Sequence, residues 1–157
     1  MNCEPAVMAY LMAEPFSKSL ETFRAALAIT ELCISGELEV SERIQRQLRL
    51  GLAPCKILLV DSPYLLLEAV TLSRAAAVLL PLHVVLAGRG SETLVYWMNP
   101  AAISGVRLPT GAAAPVAKLQ SQLSQVLERI AMRQDLYETV SCACSPASLR
   151  MPCFSIL

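Results

Sequence analysis

The sequence predicts a single α+β domain in which helices cover a sheet, followed by an irregular C-terminal tail. Three observations carry this. Residues 54–87, PCKILLVDSPYLLLEAVTLSRAAAVLLPLHVVLA, read as a strand, a helix, a short connection and a second strand. Gly88-Arg89-Gly90-Ser91 is turn chemistry, and Thr93 to Met98 reads as the returning strand of a hairpin. The flanking stretches place apolar residues at helical spacing.

In chain order, Ala6 to Met12 reads as a first strand. Glu14-Pro15 opens a helix in which Phe16, Leu20, Phe23 and Leu27 recur on one side. Leu32, Ile34 and Leu38 alternate with Cys33, Ser35 and Glu37, the pattern of a half-buried strand. Ser41 is placed to cap a short helix with Ile44 and Leu48 on one side and Arg43, Arg46 and Arg49 on the other. That helix ends at Gly51. Behind Lys56, Ile57 to Val60 is an unbroken apolar run, as expected of a strand covered on both faces or placed at a subunit interface. Ser62 before Pro63 is a helix start: the hydroxyl can accept an orphaned N–H, and proline gives up a donor that had no partner. Leu66, Ala69 and Val70 supply the stripe of that helix. Leu79-Leu80-Pro81 breaks it, and Leu82, Val84 and Leu86 alternate with His83, Val85 and Ala87. Asn99-Pro100 ends the sheet, and 104–115 is a loop rich in glycine, proline and alanine. Pro115 opens a last helix carrying Val116, Leu119, Leu123, Val126 and Ile130, read as cover for one sheet face. From about Thr139 periodicity is lost. The domain is therefore drawn at 1–138, with 139–157 as a poorly ordered tail.

KILLVDSP, the later EA, LLPLHVVL and LVYWMNP, in this order and spacing, resemble the DUF302 family of small prokaryotic proteins of unknown function. Glu37-Leu38-Glu39-Val40, followed by Ile44 and Leu48, is similar to that family's acidic-apolar segment leading into a short helix. The resemblance spans roughly residues 6–130. It implies a TBP-like β-α-β(4)-α arrangement with a mostly antiparallel sheet, and a homodimer. The family's two cysteines correspond here to Asp61 and Leu82, and its two asparagines to Ser62 and His83. A thiol or metal chemistry resting on those cysteines would not be available to this chain in the same form.

Composition narrows the function classes. Of the 157 residues, 55% are hydrophobic and only 17% charged, and mean hydropathy is +0.51. Such apolarity needs either a membrane or a buried subunit surface. No uncharged stretch is longer than Ala75 to Gly88, which falls short of the roughly 20 residues of a spanning helix and contains Pro81 and His83. An oligomer without a membrane span is the better reading. Thirteen basic residues balance thirteen acidic ones, which argues against a nucleic-acid groove. Glu4 and Pro5 stand where a signal peptide would be basic, so a cytoplasmic location is expected and the six cysteines are expected to be reduced.

No Walker loop, GxGxxG, HExxH or GxSxG occurs. His83, the only histidine, sits in an apolar strand near the strand that ends at Asp61. A carboxylate orienting an imidazole makes a general base, but no nucleophile accompanies the pair, and a locally bonded strand histidine is the plainer reading. The Ser62-Pro63 helix start offers free N–H groups to an anion, as every capped helix does. Cys142, Cys144 and Cys153 lack the fourth ligand of a closed zinc site. The Arg43, Arg46 and Arg49 face, with Glu39 and Glu42 nearby, reads as solvated mixed charge. Of Tyr96 and Trp97, on opposite strand faces, one is expected in the core and the other on a dimer surface or pocket. The expectation is thus a non-catalytic homodimeric module binding a small ligand or protein partner, with Asp61, Ser62 and His83 as ligand-site candidates and no cofactor or metal. The rival is a small enzyme or redox or metal protein using Asp61 and His83, or the tail cysteines.

Overall fold

A computed structural model describes residues 6–99, 107 and 111–134 of the chain. The boundary at 138, the tail with Cys142, Cys144 and Cys153, and half of the 104–115 loop lie outside the described residues.

Among the described residues, six strands form one sheet: β1 (Val7–Met12), β2 (Cys33–Glu39), β3 (Cys55–Asp61), β4 (Leu82–Arg89), β5 (Glu92–Met98) and β6 (Met132–Gln134), in the order β2-β3-β4-β5-β1-β6. Every neighbouring pair is antiparallel. The helices are α1 (Phe16–Ala28), α2 (Val40–Leu48), α3 (Pro63–Leu72) and α4 (Ala113–Ile130), with a 3₁₀ turn at Arg74–Val78. The chain is α+β, as its hydrophobic periodicities predict. The short strand β6 is an addition: it pairs with β1 through only three rungs, Ala9 with Gln134 to Leu11 with Met132.

Strand periodicity sorts side chains between two unlike faces. Met8, Tyr10 and Met12 of β1, Leu58 and Val60 of β3, Leu82, Val84 and Leu86 of β4, and Val95 and Trp97 of β5 are buried in one core. Phe23 and Leu27 of α1, Leu65 and Ala69 of α3, and Val116, Leu119, Leu123, Val126 and Leu127 of α4 complete that core. These helices therefore all cover the same face. Trp97 is inside, and Tyr96 lies half-buried on the opposite face.

Local chemistry fixes the joints. Gly90, at φ 65°, and Ser91 make the two-residue turn between β4 and β5, a conformation that glycine adopts without a Cβ clash. The Glu14 carbonyl accepts hydrogen bonds from the Ser19 and Thr93 hydroxyls, both at 3.0 Å, and so ties the start of α1 to β5. Lys56 is pinned between Glu37 (3.1 Å) and Glu39 (2.5 Å), and the bond to Glu39 is the first cause holding its ammonium pKa up.

Two caps differ from expectation. α2 begins at Val40, one residue before Ser41, whose hydroxyl instead accepts the Cys55 N–H at 3.3 Å. Ser62 does precede α3, but its hydroxyl makes no cap bond. α4 begins two residues ahead of Pro115.

The core and the surface leucines should respond differently. Leu123→Ala removes a fully buried side chain and is expected to cost about 2–5 kcal/mol, whereas Leu48→Ala, at a side chain 63% exposed, should stay within about 0.5 kcal/mol. Urea unfolding of the two variants measures the contrast.

Candidate functional site

The face opposite the helices is the first candidate. One rung crosses it as Leu38, Ile57, Val85, Tyr96 and Ala9. The next carries Gly36, Leu59 and His83, and a third carries Cys55, Ala87, Leu94 and Leu11. Leu59 lies so close over Gly36 that a Cβ there would meet its Cδ1 at 3.0 Å. Ile57, Leu59, Val85, Leu94 and Tyr96 are only half-covered, and Met98 is 51% exposed. α1, α3 and α4 bury their apolar residues against the other face, while α2 contacts β3 and lines a cleft with Leu38 at one edge of this one.

At one end of the face stands the pair predicted from sequence. Asp61 is paired in register with Cys33, and His83 with Leu59, so Asp61 and His83 share a face but sit one rung apart. Such diagonal neighbours are separated by about 7 Å. No hydrogen bond joins them. Asp61 is buried and accepts a bond from the Cys33 thiol at 3.0 Å. His83 is exposed and borders a cavity of about 100 Å³ with Val78, Leu79, Pro81, Leu82 and Met98. Ser62 is buried, and its hydroxyl has no hydrogen-bond partner. Leu82 belongs to the core.

Cys33 is the residue that the sequence did not single out. Its pairing with Asp61 depends on the β2–β3 register, including the shift between Ile34 and Gly36, and residue spacing alone does not give that register. The hydrogen bond to Asp61, then burial, push the thiol up to about 11 from an ordinary 9.0. At neutral pH Cys33 is therefore a protonated donor to a carboxylate, and a poor nucleophile. A thiol pKa raised on folding stabilises the fold below the unfolded value of 9.0, and that contribution is lost as pH rises toward about 11.

Among the described residues, no group of three or more His, Cys, Asp or Glu side chains converges as a metal would require. No described helix is long and apolar enough to cross a membrane.

Asp61→Asn removes the charge that opposes ionisation of Cys33. Alkylation of Cys33 at pH 8.5, followed by peptide mass mapping, should be about tenfold faster in that variant, one pKa unit being a factor of ten in thiolate at fixed pH. An unchanged rate would mean that burial alone protects the thiol.

A family model described as "Domain of unknown function DUF302" matches residues 8–130. The crystal structure of an uncharacterized conserved DUF302 protein from Bacillus stearothermophilus superposes with a TM-score of 0.71 at 16% sequence identity. The match covers 81% of this chain and 99% of that one. No curated protein matches the chain. Because the family model spans most of the sequence, from β1 to the end of α4, the chain belongs to the DUF302 family.

Proposed function

We propose that this protein is a non-catalytic homodimeric module whose open sheet face pairs with a second copy of itself. The observation that carries the proposal is the half-covered row of Ile57, Leu59, Val85, Leu94 and Tyr96 on the side the helices leave bare. A two-fold interface brings a patch against its own copy, so a patch of one charge sign would repel itself. This one avoids that penalty: Asp61 is buried under the Cys33 thiol, and Glu92, at the far end, pairs with Arg89 at 3.0 Å. Patches of contiguous apolar side chains on a sheet are a common basis of permanent association.

The non-catalytic part rests on the condition of the two strongest candidates. Asp61 is engaged by a protonated thiol, and His83 stands a rung away without a carboxylate to orient it. As a ligand site, His83 is the member of the Asp61, Ser62 and His83 set that a small molecule meets first, because the other two are buried. Native mass spectrometry tests that part: extra mass retained by the native protein and lost from His83→Ala identifies a ligand there. The bare polypeptide mass in both would remove His83 as a tight site.

Dimerisation is tested by size-exclusion chromatography with light scattering. The wild type should run at twice the chain mass of 17.0 kDa. Leu59→Glu buries a charge against its own copy and should give a monomer with an unchanged circular dichroism spectrum. A monomeric wild type, or a Leu59→Glu variant that remains dimeric, rejects the sheet face as the interface.

A further inference from the structure

The segment between β2 and β3 is unlike the rest of the molecule. α2 buries none of its residues. From Gln45 to Pro54, QRQLRLGLAP, every residue is exposed, with Leu48 at 63%, Leu50 at 60% and Leu52 at 50%. The segment is nevertheless anchored. Ser41 takes the Cys55 N–H at its root, and the Pro54 carbonyl accepts the Gly88 N–H at 2.7 Å. The result is an arm held at both ends, with three leucines at its tip.

Charge is as uneven as apolarity. Between Glu42 and Asp61 the sequence has no acidic residue, while Arg43, Arg46 and Arg49 fall along α2 and its C-terminal end. The chain as a whole is neutral, so this is a local concentration of positive charge. Arg46 reaches Glu42 at 3.5 Å across a solvated pair, a contact of small energy that other anions can replace. Arg43 and Arg49 make no ion pair among the described residues. Arg43 and Arg46, with Leu38, Glu39 and Gln47, also line an open cleft of about 390 Å³. The one carboxylate in that cleft, Glu39, is neutralised by Lys56.

We infer that this arm is a peripheral docking element for an anionic lipid bilayer. Arginines recognise phosphate headgroups, and the leucine tip enters the boundary between headgroups and acyl chains. Both contributions are needed for a short segment to hold to a membrane surface without crossing it. A purely apolar partner would leave the arginines without counter-charges, and a soluble anion would leave the leucines in water. A bilayer of anionic lipid satisfies both at once. The inference is independent of dimerisation through the sheet.

The test is co-sedimentation of the full chain with vesicles of equal parts phosphatidylglycerol and phosphatidylcholine, beside vesicles of phosphatidylcholine alone. Binding is expected to the mixed vesicles, to weaken with added salt, and to fall off sharply on the neutral ones. The double variant Arg43→Gln, Arg49→Gln should bind about 25-fold more weakly, about fivefold for each arginine removed. Leu50→Ser with Leu52→Ser keeps the charge and should also lose binding. Because every substituted residue is exposed, circular dichroism should be unchanged in both variants. Equal binding to neutral and anionic vesicles, absence of binding to either, or variants that bind like the wild type would overturn the inference. So would a change of either variant from dimer to monomer in light scattering, since the arm would then be an interface between copies.

Discussion

A sheet has two faces, and in this protein the described helices supply apolar cover for only one. α1, α3 and α4 bury their stripes against Tyr10, Leu58, Val84, Leu86, Val95 and Trp97. The alternation of β3, β4 and β5 puts Ile57, Leu59, Val85, Leu94 and Tyr96 on the other side by the same geometry. The strands cannot bury one set of side chains without presenting the other. That constraint explains the high apolar content of a chain whose described helices include none fit to cross a membrane. It also puts Asp61 and His83 on the uncovered face.

Asp61 closes β3 as the acceptor of the Cys33 thiol hydrogen bond, and Leu82 opens β4 inside the core. A thiol that donates to a buried carboxylate stabilises its surroundings and is slow to react, because the same bond opposes formation of the thiolate. The Cys33–Asp61 bond ties β2 to β3 at this end of the sheet.

Two surfaces differ in their physics. The sheet face carries the half-covered row of Ile57, Leu59, Val85, Leu94 and Tyr96. The arm from α2 to Pro54 is narrow, basic and tipped with leucines, and no described element covers it. Its Leu48, Leu50 and Leu52 are exposed and stand outside the core. Its roots at Ser41 and Pro54 nevertheless set where it projects.

Sequence by itself determined the elements whose periodicity is strong. The alternation from Leu82 to Met98, the glycine turn between the strands, and the stripe of Val116, Leu119, Leu123 and Val126 all signal their structure locally. It determined that Tyr96 and Trp97 oppose each other, because strand parity guarantees it. Which of the two enters the core was decided by where the helices lie, a choice symmetric in the strand's own pattern. The β6 strand was illegible for a related reason: three residues pairing with a strand more than a hundred positions away carry no local signature. Ser62 and Ser41 show the limit at single residues. Each hydroxyl has the chemistry of a cap, yet tertiary packing left Ser62 buried without a partner and gave Ser41 to the amide of Cys55. The Cys33–Asp61 pair likewise belongs to tertiary structure alone, since it exists only once the register of β2 on β3 brings residues 28 positions apart onto one rung.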